Sequence, residues 1–71
     1  MKDLEFQYII ERIVDNAKDA FDDAKANRND YFNLGKSLAY YEVLDIIKNE
    51  LIVRDIDLAD YKLDIDLERL I

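Results

Sequence analysis

The chain has no cysteine, histidine, proline, tryptophan or threonine, a single glycine (Gly35) and a single serine (Ser37). Without cysteine or histidine there is no disulfide, no thiolate chemistry and no zinc site of the usual nitrogen–sulfur kind. The imidazole that most often serves as general base is missing too. Carboxylates remain, but acid–base work by a carboxylate pair needs a shaped cleft that perturbs one of them. These gaps predict no enzyme, no cofactor and no metal. The lack of proline and near-lack of glycine predict long helices joined by few turns. No apolar run approaches the roughly 20 residues of a membrane span. Met1-Lys2-Asp3 opens an amphipathic pattern rather than a signal-peptide core. With no cysteine, the expected compartment is the cytoplasm.

What is present is 71 residues, 51% hydrophobic and 38% charged, with a net charge of −7. That length predicts one small domain, residues 1–71. A core this small usually needs a disulfide, a metal or a partner subunit for its margin of stability. With no cysteine or histidine for the first two, oligomerisation is the support that remains. The acidic balance argues against nucleic acid, whose phosphates call for clustered Lys and Arg, and against anionic membrane surfaces. It serves solubility, or a basic protein partner.

One polar cluster, Asn27-Arg28-Asn29-Asp30, interrupts the apolar periodicity. It predicts a loop over 27–30, with Asp30 or Asn29 capping a second helix. The first helix is expected over about 3–26. Phe6, Ile10, Ile13, Ala17, Ala20 and Ala24 keep to four-three spacing, with Ile9, Val14 and Phe21 beside them. Glu11, Asp15, Lys18, Asp19, Asp22 and Asp23 fall opposite, with Lys18 and Asp22 spaced to form an i,i+4 pair.

The second helix, about 31–53, is apolar on far more than one face. One stripe runs its full length: Phe32, Gly35, Ala39, Val43, Ile46, Val53. A second, Tyr31-Leu34-Leu38-Tyr41, occupies the first half, and a third, Tyr40-Leu44-Ile47-Leu51, the second half. Folding the chain back at the loop sets Ala24 opposite Gly35, Ala20 opposite Ala39, Ala17 near Val43 and Ile13 near Ile46. Small faces small near the loop and large faces large farther away. This match predicts that the full-length stripe faces helix 1, with close approach at Gly35 to offset glycine's helical cost of about 1 kcal/mol. The other two stripes are then surplus. Tyr31, Leu34, Leu38, Tyr40, Tyr41, Leu44, Ile47 and Leu51 are the expected interface, shared in part with the tail.

Residues 54–71 alternate acidic and aliphatic, as strands do, but a short strand has no pairing partner in this chain. Asp is poor in strands and good at helix starts. The expectation is an ordered tail of short helical turns, one capped by Asp57 and running to Tyr61, the other capped by Asp66 and running to Leu70. Ile56, Leu58, Tyr61, Leu63, Ile65, Leu67, Leu70 and Ile71 would then lie along helix 2. The predicted fold is thus all-α: an antiparallel two-helix hairpin with an ordered tail, dimerising into a four-helix-like core.

The segment GKSLAYYEVLDIIKNEL, Gly35–Leu51, resembles short uncharacterised bacterial and phage-type helical proteins. The likeness lies in a Gly-basic start, an Ala-Tyr-Tyr-Glu centre and an Ile-Lys-Asn end. It covers the second helix and part of the tail, about half the chain. It implies a glycine-bearing tail, where this chain has Lys62, and brings no activity with it.

Three motif-like clusters carry little. Gly35-Lys36-Ser37 ends like a phosphate-binding loop, but Asp30 occupies the position of the earlier glycine and no strand precedes it. Asp15, Asp19, Asp22 and Asp23 offer oxygens at helical spacing from one element only, whereas a dedicated cation site gathers ligands from several. Asp64-x-Asp66-x-Glu68 begins like a calcium loop, yet Arg69 stands where glycine is required. The expected function is therefore a small non-enzymatic interaction or assembly module, a homodimer binding itself. The alternative is an acidic inhibitor or antagonist, such as a phage-encoded one, that binds a basic protein.

Overall fold

The computed structural model describes residues 4–69. Helix α1 spans Leu4–Ala26 and helix α2 spans Tyr31–Val53. They pack against each other as the arms of a hairpin, and no strand occurs among the described residues. The helix ends fall within a residue of expectation, because the sequence encodes them locally. Asp30 Oδ1 accepts from the backbone N–H of Phe32 at 3.0 Å and of Asn33 at 3.5 Å, and its Oδ2 accepts from Asn33 Nδ2 at 3.0 Å. Donors left open by the first turn of α2 are thereby satisfied.

Helix α1 buries Ile10, Val14, Ala17, Ala20, Phe21 and Ala24. The line expected to lead this face is rotated: Val14 and Phe21 are fully inside, Ile13 is half-buried, and Phe6 and Ile9 are exposed. The rotation comes from the tail, which adds a third wall on the Val14–Phe21 side. The outer face carries Asp15, Asp19, Asp22 and Asp23 in solvent. The expected Lys18–Asp22 pair is not among the ion pairs of the described residues. Two exposed, flexible side chains gain little from pairing in water.

Helix α2 reverses the expected orientation. Its buried residues are Ser37, Leu44 and Leu51, one line at seven-residue spacing. Leu34, Tyr40, Tyr41 and Ile47, on either side of that line, are half-buried. The stripe expected to meet α1 points into solvent instead: Phe32 is 74% exposed, Val43 43%, Ile46 63% and Val53 78%. Gly35 and Ala39 lie on this outward side, and a Cβ added at Gly35 would meet nothing within 4 Å. No close approach explains Gly35. The physical reason for the reversal is the third wall. An α2 that must face both α1 and the tail buries most apolar surface by turning inward the arc between its two half-length stripes. Turning the full-length stripe inward would bury one stripe and strand two.

The tail returns along the hairpin. At the end of α2, the N–H of Ile56 donates to Leu51 O at 2.9 Å and the N–H of Asp55 to Ile52 O at 3.0 Å. This is the paired closure of a Schellman motif, with Asp55 at φ 59° in the left-handed position that glycine favours. Replacing Asp55 with glycine is expected to stabilise the protein by about 1 kcal/mol, because a side chain is disfavoured in that conformation; a urea midpoint at or below wild type would contradict this. Two 3₁₀ turns complete the described chain, Leu58–Tyr61 and Leu67–Arg69. Asp57 Oδ1 accepts from Ala59 N–H at 3.0 Å and Asp66 Oδ1 from Glu68 N–H at 3.2 Å, as the capping pattern predicts. Leu70 and Ile71, including the expected end of the second turn, lie outside the described residues, as does Asp3. Lys62 closes the first turn at φ 59°, a second left-handed site occupied by a non-glycine residue.

The first 3₁₀ turn packs on α1 as well as α2, whereas the tail was expected along α2; the second touches α2. Tyr61, Leu63 and Leu67 enter the core beside Ile10, Val14, Ala17, Phe21, Leu44 and Leu51. Three polar tethers secure the tail. Gln7 Nε2 donates to Asp60 O, Lys62 Nζ lies 3.5 Å from Glu11 Oε1, and Lys48 Nζ donates to Ile65 O at 2.6 Å.

Candidate interaction surface

The outward face of α2 is built from Phe32, Gly35, Ala39, Val43, Ile46 and Val53. Phe32, Ala39, Ile46 and Val53 recur every seven residues, and Gly35 and Val43 fall between them. This is the spacing of a helix–helix seam, interrupted at Glu50. Phe32 stands at the loop end of the seam, Gly35 and Ala39 make it low in profile beyond, and Ile46 and Val53 make the far half high. The rise of 1.5 Å per residue makes the helix about 34 Å long. No described part of the chain covers this face, since Phe32, Val43, Ile46 and Val53 all stay in solvent.

The eight residues expected to form the interface, shared in part with the tail, divide between core and surface. Leu44 and Leu51 are core residues. Tyr40, Tyr41 and Ile47 are half-buried and pack against that core. Leu34 is half-buried, and Tyr31 and Leu38 are exposed. The spacing assigned the outward stripe to the interior. Glu42 and Glu50 lie on the same arc as the stripe, whereas the arc around Leu44 carries Lys48 as its one charge near the centre.

The motif-like clusters give no site. Gly35, Lys36 and Ser37 lie inside α2, and the Ser37 hydroxyl donates to Leu34 O at 3.0 Å within its own helix. No phosphate-cradling loop exists there. Among the described residues no group of three or more acidic side chains is arranged to hold a metal ion. Nor is any described helix long and apolar enough to cross a membrane.

A second feature lies at the loop end, where α1 and α2 diverge around an open cleft of about 370 Å³. Phe21, Ala24, Leu34 and Leu38 supply its apolar lining, and Lys25 and Arg28 also border it. Comparison with known protein families, curated proteins and solved structures finds no match to this chain.

Proposed function

We propose that the protein is a small, non-enzymatic interaction module that works as a homodimer, with α2 packed against α2 of a second copy. The observation that carries this reading is the full-length apolar stripe left uncovered on α2, with Phe32, Ile46 and Val53 each more than half exposed. A two-fold pairing sets the same stripe against itself, and a seam of this spacing is self-complementary in character. Four helices then enclose a core that neither hairpin has alone. The absence of cysteine and histidine supports a non-enzymatic role in a reducing compartment.

Light scattering across a range of concentrations tests the proposal. Wild-type protein is expected to show twice the monomer mass at micromolar concentrations and above. Ile46→Glu is expected to be monomeric with unchanged helical circular dichroism, since the side chain is in solvent within one copy and a charge is costly only in a buried seam. A wild-type chain that stays monomeric at several hundred micromolar, a range where even weak pairs of about 10⁻⁴ M affinity would form, removes the reading.

The acidic face of α1 favours one rival. Asp15, Asp19, Asp22 and Asp23 are all exposed and take part in no ion pair of the described residues, which suits an antagonist that docks on a basic protein. Such docking weakens steeply with salt, whereas an apolar seam does not.

A further inference from the structure

The cleft between the helices at the loop end shares one wall residue, Phe21, with the hydrophobic core. That core also takes in the chain's own segment Leu63-Asp64-Ile65-Asp66-Leu67-Glu68. Its aliphatic residues point inward: Leu63 and Leu67 are buried and Ile65 is half-buried, while Asp64, Asp66 and Glu68 are in solvent. Phe21 joins the two regions, since it packs in the core with Leu63 and Leu67 and also lines the cleft. The core beside the cleft thus already accepts one segment that alternates acidic and aliphatic residues.

The cleft adds charge to that preference. Lys25 and Arg28 border the cleft, both are exposed, and neither takes part in an ion pair of the described residues. Lys25 and Arg28 are two of the chain's ten basic residues, and here they stand beside an apolar lining. They complement a ligand that carries carboxylates beside aliphatic groups. The geometry points to an acidic–aliphatic peptide segment of a partner protein as the occupant of this cleft. Its aliphatic side chains lie on Leu34 and Leu38, and its carboxylates meet Lys25 and Arg28. At about 370 Å³ the cleft stands near the small end of ligand pockets, which run from about 300 to 1,000 Å³. It suits a few side chains of an extended segment rather than a whole helix. The site uses neither Phe32, Val43, Ile46 nor Val53, so it is independent of self-association.

An NMR titration of the full chain with a synthetic peptide, acetyl-Asp-Leu-Asp-Leu-Glu-amide, tests the assignment. The methyl signals of Leu34 and Leu38 are expected to shift and saturate. Affinity is expected to fall at least about tenfold in the double variant Lys25→Gln/Arg28→Gln, and severalfold as salt rises from about 50 to about 300 mM. Circular dichroism identical to wild type shows that the variant is folded. Four outcomes overturn the assignment: no methyl shift at millimolar peptide, equal binding of the Asn/Gln form of the peptide, unchanged affinity in the double variant, or shifts produced by decanoate and not by the peptide.

Discussion

A chain ending at Asp55 is expected not to fold as a stable hairpin. Tyr61, Leu63 and Leu67 are each buried within the core, and removing residues 56–71 takes all three away. Burying one large apolar side chain is worth about 1.5–3 kcal/mol, and a core in a chain of this size supplies only about 3–5 kcal/mol in total. The loss thus matches or exceeds the whole margin. The truncation also bares Val14, Phe21 and Leu44, which are at most 1% exposed in the complete fold. The truncated chain is expected to show low helicity by circular dichroism, or to aggregate through the uncovered core. A cooperative melt near the wild-type temperature would show instead that the two helices suffice.

The second large effect is a contrast between neighbours. Leu44 is completely buried in the cluster formed by both helices and the tail, and Ile46, two residues on, is 63% exposed. Leu44→Ala is expected to cost about 2–5 kcal/mol, from lost burial and the cavity left behind. Ile46→Ala, measured at a concentration low enough for single copies, is expected to cost no more than about 0.5 kcal/mol, as surface changes usually do. Urea denaturation of the two variants decides which way α2 faces. If the full-length stripe were the inner one, the order of the two costs would be inverted.

This contrast marks where the sequence stops being sufficient for the candidate site. The surface of α2 is divided among three stripes, and spacing alone says which residues share a stripe but not which stripe is covered. The small-on-small match of Gly35 and Ala39 with Ala24 and Ala20 describes a pair of helices in isolation. It leaves out the tail as a wall. Once Tyr61, Leu63 and Leu67 are in place, the inner side of α2 has two surfaces to satisfy, and a wide arc centred on Leu44 satisfies both. Leu44 and Leu51, expected to be shared between a partner and the tail, are core beside the tail, and the stripe expected in the core is at the surface. The loop-end cleft had no signal in the sequence, because Lys25 and Arg28 meet Leu34 and Leu38 only after the chain folds back.

The sequence by itself determined the elements and their ends. The polar run at 27–30 breaks the chain, Asp30 caps α2, and Asp57 and Asp66 cap the two turns of the tail. Each cap is a contact between residues two or three apart, so it depends on no long-range packing. Only the tertiary structure decided the rotation of α2 about its own axis. Rotating a helix that is apolar nearly all round changes none of its internal hydrogen bonds. Its orientation is therefore fixed by which arc buries the most apolar surface, and that depends on every wall of the core at once.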